Sequence, residues 1–208
     1  MRAEPTTERG RRTRQRIVEA AADVVAEKGA VGANLDEVGA RAAASRSQLY
    51  HYFDDKADLL RAVAEAINDA VLGGQRELFA ELGSREGLAK WMDALVRVQE
   101  ENGGRGGCPI GNLVGQLGEH DDEVRAVLAS GYDRWEAHIK AGLAAMVEKG
   151  ELVPETDFEW LAASTLASVQ GGLILTQARR DPQALRQALD GALALIGTYR
   201  PSTRIFSE

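Results

Sequence analysis

The sequence predicts an all-α fold of about nine helices, on three observations. Apolar residues recur at three- and four-residue spacing along nearly every segment, and almost nothing alternates as a strand does. Helix ends are marked repeatedly: Asn34 with Glu37, Ser45 with Gln48, Asp54-Asp55 and Asp121-Asp122 at starts, Lys28-Gly29 and Lys149-Gly150 at stops. The stretches between helices are mostly short, as in a bundle.

Taken in order, Ile17, Ala21, Val24 and Val25 set a first helix over 13–28. Asn34 caps a second, with Leu35, Val38 and Ala42 as its apolar face. Ser45 opens a third, in which Leu49 and Phe53, four apart, face inward. The fourth starts after Asp54-Asp55 with Leu59, Leu60, Val63, Ile67 and Val71, and its pattern runs on toward Leu82. Residues 85–101 carry Leu88, Trp91, Met92, Leu95 and Val98. Glycines between 103 and 107 interrupt the chain as a flexible loop, and Pro109 then suits the first position of a helix bearing Ile110, Leu113, Val114 and Leu117. Longer helices follow over 121–149, 157–179 and 182–198, the last two split by Asp181-Pro182. Two domains are expected, residues 1–55 with three short helices and residues 56–208 with long amphipathic ones.

Composition narrows the function. The chain has 208 residues, 44% of them hydrophobic, and a net charge of −7, so it is no indiscriminate polyanion binder. Its positive charge is concentrated: six arginines, at 2, 9, 11, 12, 14 and 16, stand among the first sixteen residues against Glu4 and Glu8. Cys108 is the sole cysteine, so no internal disulfide forms, and a lone cysteine is more often a small buried hydrophobe than a sensor. No apolar run reaches the roughly 18 residues of a membrane span, and no signal-peptide core stands at the start, so a cytoplasmic protein is expected. His51, His120 and His138 are scattered, and no Glu-x-x-His, HExxH, cysteine pair or GxxxxGK is present. Neither a metal, nor a cofactor, nor an enzyme activity is expected.

The informative stretch is Asn34 to Lys56, NLDEVGARAAASRSQLYHYFDDK. One reading is three amphipathic helices at the edge of a bundle. The other is a helix-turn-helix, a DNA-binding unit whose second helix is thin enough to enter the major groove. The outward positions from Ser45 to His51 are spent on serine, arginine, glutamine and aromatic side chains, where a solvated face would use Glu and Lys. The preceding arginines, Arg11 and Arg14 among them, then suit an arm along phosphates or in the minor groove.

The run SRSQLYHYFDDKADLLRAV, preceded by NLDEVGARAA and an Arg-rich first helix, resembles the tetracycline-repressor (TetR) family of bacterial transcriptional regulators over roughly residues 12–65. Leu49, Tyr50, Phe53 and Lys56 carry the likeness. Gly107 to Leu113, GCPIGNL, resembles a subgroup that includes repressors of the LmrA/YxaF kind. The family pattern implies phosphate contacts from Asn34, Ser45, Tyr50 and Lys56, and base reading by Arg46, Ser47, Gln48 and His51. It also implies a near-palindromic double-stranded operator, a homodimer, and a repressor released by a small, largely apolar effector. Three positions depart from the pattern: Gly39 for alanine, Ala43 for the turn glycine and Ala44 for valine. A positive-φ turn would cost Ala43 roughly 1 kcal/mol relative to glycine.

Aromatics at helical spacing are often simply core. In this family that core is often hollow, which makes Trp91, Leu95, Cys108, Leu113, Leu117, Tyr132, Trp135, His138 and Gln170 the candidate effector residues. The two last helices are unusually apolar and carry Gly171, Gly172, Ala188, Gly191 and Ala192, which allow close helix approach. Their expected dimer face is Leu166, Val169, Leu173, Leu189, Ala192 and Ile196. Rival readings are a helical small-molecule-binding protein or enzyme without DNA regulation, and an architectural DNA-binding protein without an effector.

Overall fold

A computed structural model of the chain describes residues 5–201, so Arg2 lies outside the described residues. Among these residues the chain is all-helical, with ten helices. They are α1 (Glu8–Gly32), α2 (Leu35–Arg41), α3 (Arg46–Tyr52), α4 (Lys56–Gly73), α5 (Arg76–Glu81), α6 (Arg85–Glu101), α7 (Pro109–Leu117), α8 (Asp122–Glu148), α9 (Phe158–Arg179) and α10 (Gln183–Gly197). The extra helix arises at Gly73-Gly74, where the fourth apolar pattern breaks and Gln75 starts α5.

The chain forms two compact units. One comprises the residues up to Gly73 with Pro109–Gly131; the other comprises Gly74–Cys108 with the residues from Tyr132 on. The expected boundary at residue 55 falls inside the first unit. The reason is the apolar face of α4: Leu59, Leu60, Val63 and Ala64 are buried, and α4 packs on α1 and α7.

In the first unit, α1 buries Ile17, Val18, Ala21, Val24 and Val25 and breaks at Gly29, whose φ of +76° interrupts the helix. The Ala30 N–H freed there donates to Gln116 Oε1 of α7 at 2.6 Å. Two exposed ion pairs tie α1 to α2: Arg41 grips Glu27 through both nitrogens, at 2.7 and 2.8 Å, and Lys28 meets Glu37 at 2.7 Å. The Arg41 bond holds the Glu27 carboxyl below its ordinary pKa. At the start of α4, Asp55 Oδ1 accepts from Asp58 N at 2.8 Å. The buried Asp58 accepts from Asp54 N at 3.2 Å and from Arg61 Nη1 at 3.0 Å, and Arg61 also pairs with Glu123.

The second unit holds α5, α6, the later part of α8, α9 and α10. A side chain on Gly142 would strike Leu82, and one on Gly172 would strike Leu185 and Ala188, so both glycines mark close helix approaches. By contrast Gly171 and Gly191 have no atoms near them and lie on the outer surface. The six side chains expected at the dimer face, Leu166, Val169, Leu173, Leu189, Ala192 and Ile196, are buried within one chain. The α9–α10 hairpin closes on itself, and α10 also packs on α6, so the largest apolar groups are used internally. On α9 the outward stripe is instead Trp160, Ala163, Ala167, Gly171, Ile174 and Ala178, at three- and four-residue spacing.

Candidate functional site

The helix-turn-helix is built from its caps. Asn34 Oδ1 accepts from Asp36 N at 2.9 Å, starting α2. At α3, Ser45 Oγ accepts from Gln48 N at 3.2 Å while Gln48 Oε1 accepts from Ser45 N at 2.9 Å, a reciprocal capping box. Between the helices Ala43 sits at φ +47°, the left-handed turn anticipated for that position. Gly39 makes room for it: a Cβ there would lie 3.0 Å from Ala44 O and 3.3 Å from Leu49 Cδ1. Leu49 and Phe53 are buried and fix the rotation of α3.

That rotation leaves Ser45, Arg46, Ser47, Gln48, Tyr50 and His51 exposed along one side of α3. The Arg46 guanidinium lies 5.9 Å from the Tyr50 ring centroid, and the bond to Tyr50 raises its pKa further above the ordinary arginine value. Ser45 and Ser47 share a 2.9 Å hydroxyl contact, and His51 meets the Tyr52 ring edge-on at 4.9 Å. Gln48 is already engaged through its carboxamide oxygen, which removes one half of the bidentate grip on adenine. Replacing Gln48 with Glu keeps the acceptor for Ser45 N and adds a negative charge. The expected result is an unchanged melting temperature, within about 2 °C, with at least a tenfold loss of DNA affinity. Equal losses of stability and affinity would place Gln48 in the cap alone.

Lys56 Nζ donates to Val31 O at 3.1 Å, which holds its ammonium beside the loop that leads into Asn34. The anticipated basic arm is largely helical, since α1 begins at Glu8. Arg11 bonds to Thr6 O and Glu8, Arg12 bonds to Glu8, and the Arg14 guanidinium lies 5.3 Å from the Phe53 ring. Together with Gln15, Arg16 and Glu19 these arginines border an open groove. Arg16, not singled out from the sequence, donates from Nε to Ala42 O at 2.7 Å.

The expected effector residues separate. Leu113 and Leu117 are buried in the first unit, on α7. In the second unit Trp91 is fully buried and its indole N–H donates to Gln75 Oε1 at 2.8 Å, while Leu95 is half-buried. Cys108 is buried beside Tyr132, whose hydroxyl donates to Gln170 Oε1 at 3.3 Å. Burial, and then Cys108, push the Tyr132 phenol above its ordinary pKa. Trp135 is 2% exposed. His138 is exposed and stacks on Phe79 at 4.4 Å, so it does not join Trp135 in the interior. Three buried polar atoms of this unit make no hydrogen bond among the described residues: Trp135 Nε1, Gln99 Oε1 and Gln170 Nε2. Gln99, Gln75 and Phe79 went unnoticed in the sequence. The signal for Gln99 was a polar residue in register with Met92 and Val96 on an apolar face. A separate cleft of about 310 Å³, lined by Arg85, Met146, Leu152, Ile196 and Arg200 among others, contains none of the expected effector residues.

Comparison with known proteins accounts for both parts of the chain. The model of bacterial regulatory proteins of the tetR family matches residues 17–63, and the tetracyclin repressor-like C-terminal domain model matches residues 85–192. The uncharacterized HTH-type transcriptional regulator in the lacX 3′ region of Lactococcus lactis subsp. lactis is 27% identical over 185 residues, covering 86% of this chain and 91% of that protein. Transcriptional regulator AcuR of Cereibacter sphaeroides is 27% identical over 175 residues, covering 82% and 79%. The crystal structure of a TetR-family transcriptional regulator from Cytophaga hutchinsonii shares the fold with a TM-score of 0.79 at 21% identity, covering 96% of this chain and 100% of that one.

Proposed function

The chain belongs to the TetR family of helix-turn-helix transcriptional regulators, and we propose that it acts as a homodimeric repressor, released from a near-palindromic operator by a small, largely apolar effector. It works in this reading as a cytoplasmic binding protein and not as an enzyme; no described helix is long and apolar enough to cross a membrane. One observation carries the operator half: a doubly capped α3 whose apolar residues are buried and whose whole outer side is polar or aromatic. Arg46, Ser47 and His51 would read base edges. Asn34, Ser45, Tyr50 and Lys56, with Arg11 and Arg14 from α1, would meet phosphates and set the register.

The exposed small-and-apolar stripe of α9 supports pairing with a second copy. A two-fold dimer would set its recognition helices about 34–36 Å apart, one DNA turn. The unpartnered Trp135 Nε1, Gln99 Oε1 and Gln170 Nε2 support the effector half. A buried polar atom without a partner costs about 1–3 kcal/mol, and a ligand with complementary groups would remove that cost. In this reading Tyr132, Gln170, Cys108, Trp91 and Leu95 complete the effector's surroundings. Coupling needs only that the effector prefer the conformer whose recognition helices no longer fit the groove; a tenfold loss of operator affinity corresponds to about 1.4 kcal/mol.

The test is a gel shift on a duplex selected by the protein from random DNA, titrated with a library of small neutral aromatics. Sequence-selective binding weakened by at least one compound is the expected outcome, and binding that no compound shifts contradicts the switch. Trp135→Phe sharpens this. Removing an unpartnered N–H leaves the melting temperature within about 3 °C of wild type, since the lost volume and the relieved polar atom offset one another. It also reduces the response to the active compound at least tenfold. An unchanged response would move the effector away from α8.

A further inference from the structure

The geometry points to Arg16 as a positioning residue for operator recognition: it holds the helix-turn-helix turn in a left-handed conformation that Ala43 would otherwise resist. The inference rests on the operator-binding reading above. Ala43 has φ +47°, and its N–H donates to Ala40 O at 3.2 Å, while Ala44 N donates to Gly39 O at 2.9 Å. Those bonds use the carbonyls of α2 up to Gly39 and Ala40. The carbonyl of Ala42, the last before the strained residue, accepts from Arg16 Nε at 2.7 Å across 26 positions of sequence. It stands at the negative end of α2, where a guanidinium is electrostatically favoured. The donor comes from α1, whose next residues Ile17 and Val18 are buried, so the anchor is rigid. Glycine would adopt this φ without help; alanine has a Cβ that opposes it. The turn aims α3, so a loosened turn misplaces every base-reading side chain together.

A second role is the natural competitor, because Arg16 also borders the groove lined by Arg11, Arg12 and Arg14. A phosphate contact there would make Arg16 one more charge on the DNA backbone. The two roles separate by substitution. In Arg16→Gln the carboxamide nitrogen takes the same place along the side chain as the arginine Nε, so the donor to Ala42 O is kept while the charge and both terminal nitrogens are lost. In Ala43→Gly the turn no longer needs the anchor.

The experiment measures affinity by fluorescence anisotropy for a duplex selected by the wild-type protein and for a scrambled duplex, across a salt series. The proteins are wild type, Arg16→Ala, Arg16→Gln, Ala43→Gly and the double variants Arg16→Ala/Ala43→Gly and Arg16→Gln/Ala43→Gly. The expected result is a loss of about tenfold for Arg16→Ala on the selected duplex and little change on the scrambled one. Arg16→Gln stays within about threefold of wild type, and the Arg16→Ala loss shrinks below about threefold when Ala43→Gly is present. The inference is overturned if Arg16→Gln is as weak as Arg16→Ala, if both duplexes lose equally, or if the salt slope drops by about one, the mark of a lost phosphate contact. Should Arg16→Ala fail to fold, the Arg16→Gln and Ala43→Gly/Arg16→Gln measurements still separate the outcomes, because only a phosphate role lowers affinity in both. Failure of the operator reading itself would look different: wild type would bind the two duplexes alike.

Discussion

Replacing Asp58 with alanine lowers the stability of the protein by about 3–5 kcal/mol, the range for breaking a buried ion pair from one side. Asp58 is 6% exposed and each of its oxygens is used: Oδ1 accepts from Arg61 Nη1 at 3.0 Å, and Oδ2 accepts from Asp54 N at 3.2 Å. Its removal strands the Arg61 guanidinium, whose Nε already has no hydrogen-bond partner, with only the exposed Glu123 to compensate. It also frees the Asp54 N–H at the junction between α3 and α4. Both helices belong to the first unit, so the recognition helix loses its support. At about 2–4 °C per kcal/mol for a chain of this size, the melting temperature falls by about 6–20 °C. Asp58→Asn keeps an acceptor and is expected to recover part of the loss. A melting curve for Asp58→Ala within 2 °C of wild type would show that the pair contributes nothing net.

Ile174→Asp is the second large effect, and it acts on assembly. Ile174 is 63% exposed toward the C-terminal end of the outward stripe of α9, with Trp160, at 49%, at the other end of the same side. Around a two-fold axis the same surface serves both copies, so one aspartate per chain brings two like charges into a patch that excludes water. The expected outcome is elution at the monomer mass in size-exclusion chromatography with light scattering, with an unchanged helical spectrum. Operator affinity then falls by at least about a hundredfold, because the second recognition helix no longer acts at the millimolar effective concentration that linkage provides. The six residues expected at the dimer interface from the sequence are buried within the chain and supply the control. Leu189→Ala should lower stability by about 2–5 kcal/mol while the folded protein stays dimeric. A dimer that survives Ile174→Asp would place the interface elsewhere.

Much of the DNA-binding unit was legible because its determinants are local. Asn34 and Ser45 with Gln48 are caps, recognisable from residue type and spacing, and the strained turn at Ala43 follows from a short link between two helices. The conflict over Gln48 was legible too: a residue that closes a capping box has half its side chain committed. Long-range features were not. The bonds from Arg16 to Ala42 and from Ala30 to Gln116 join residues 26 and 86 positions apart, and no periodicity announces them. His138 was misplaced for a geometric reason. A three-residue step falls about 60° short of a full helical turn, so two such steps from Tyr132 carry His138 about 120° around α8. Trp135, in the middle, is buried, while His138 has turned to solvent against Phe79. The six residues expected at the dimer face are buried within one chain, because large apolar side chains on two adjacent helices pack against each other before they meet a second copy. In this hairpin most of the large residues fill the interior, and the outer side of α9 keeps the small ones together with Trp160 and Ile174.

The most direct measurement of the central claim is selection of duplexes from a random DNA pool by the wild-type protein, followed by the stoichiometry of the selected complex. The account predicts an enriched near-palindrome with half-sites about one helical turn apart, two chains on each duplex, and loss of the enrichment when Arg46 and Tyr50 are replaced by alanine. A pool with no enriched sequence, or one enriched equally by that double variant, would contradict it.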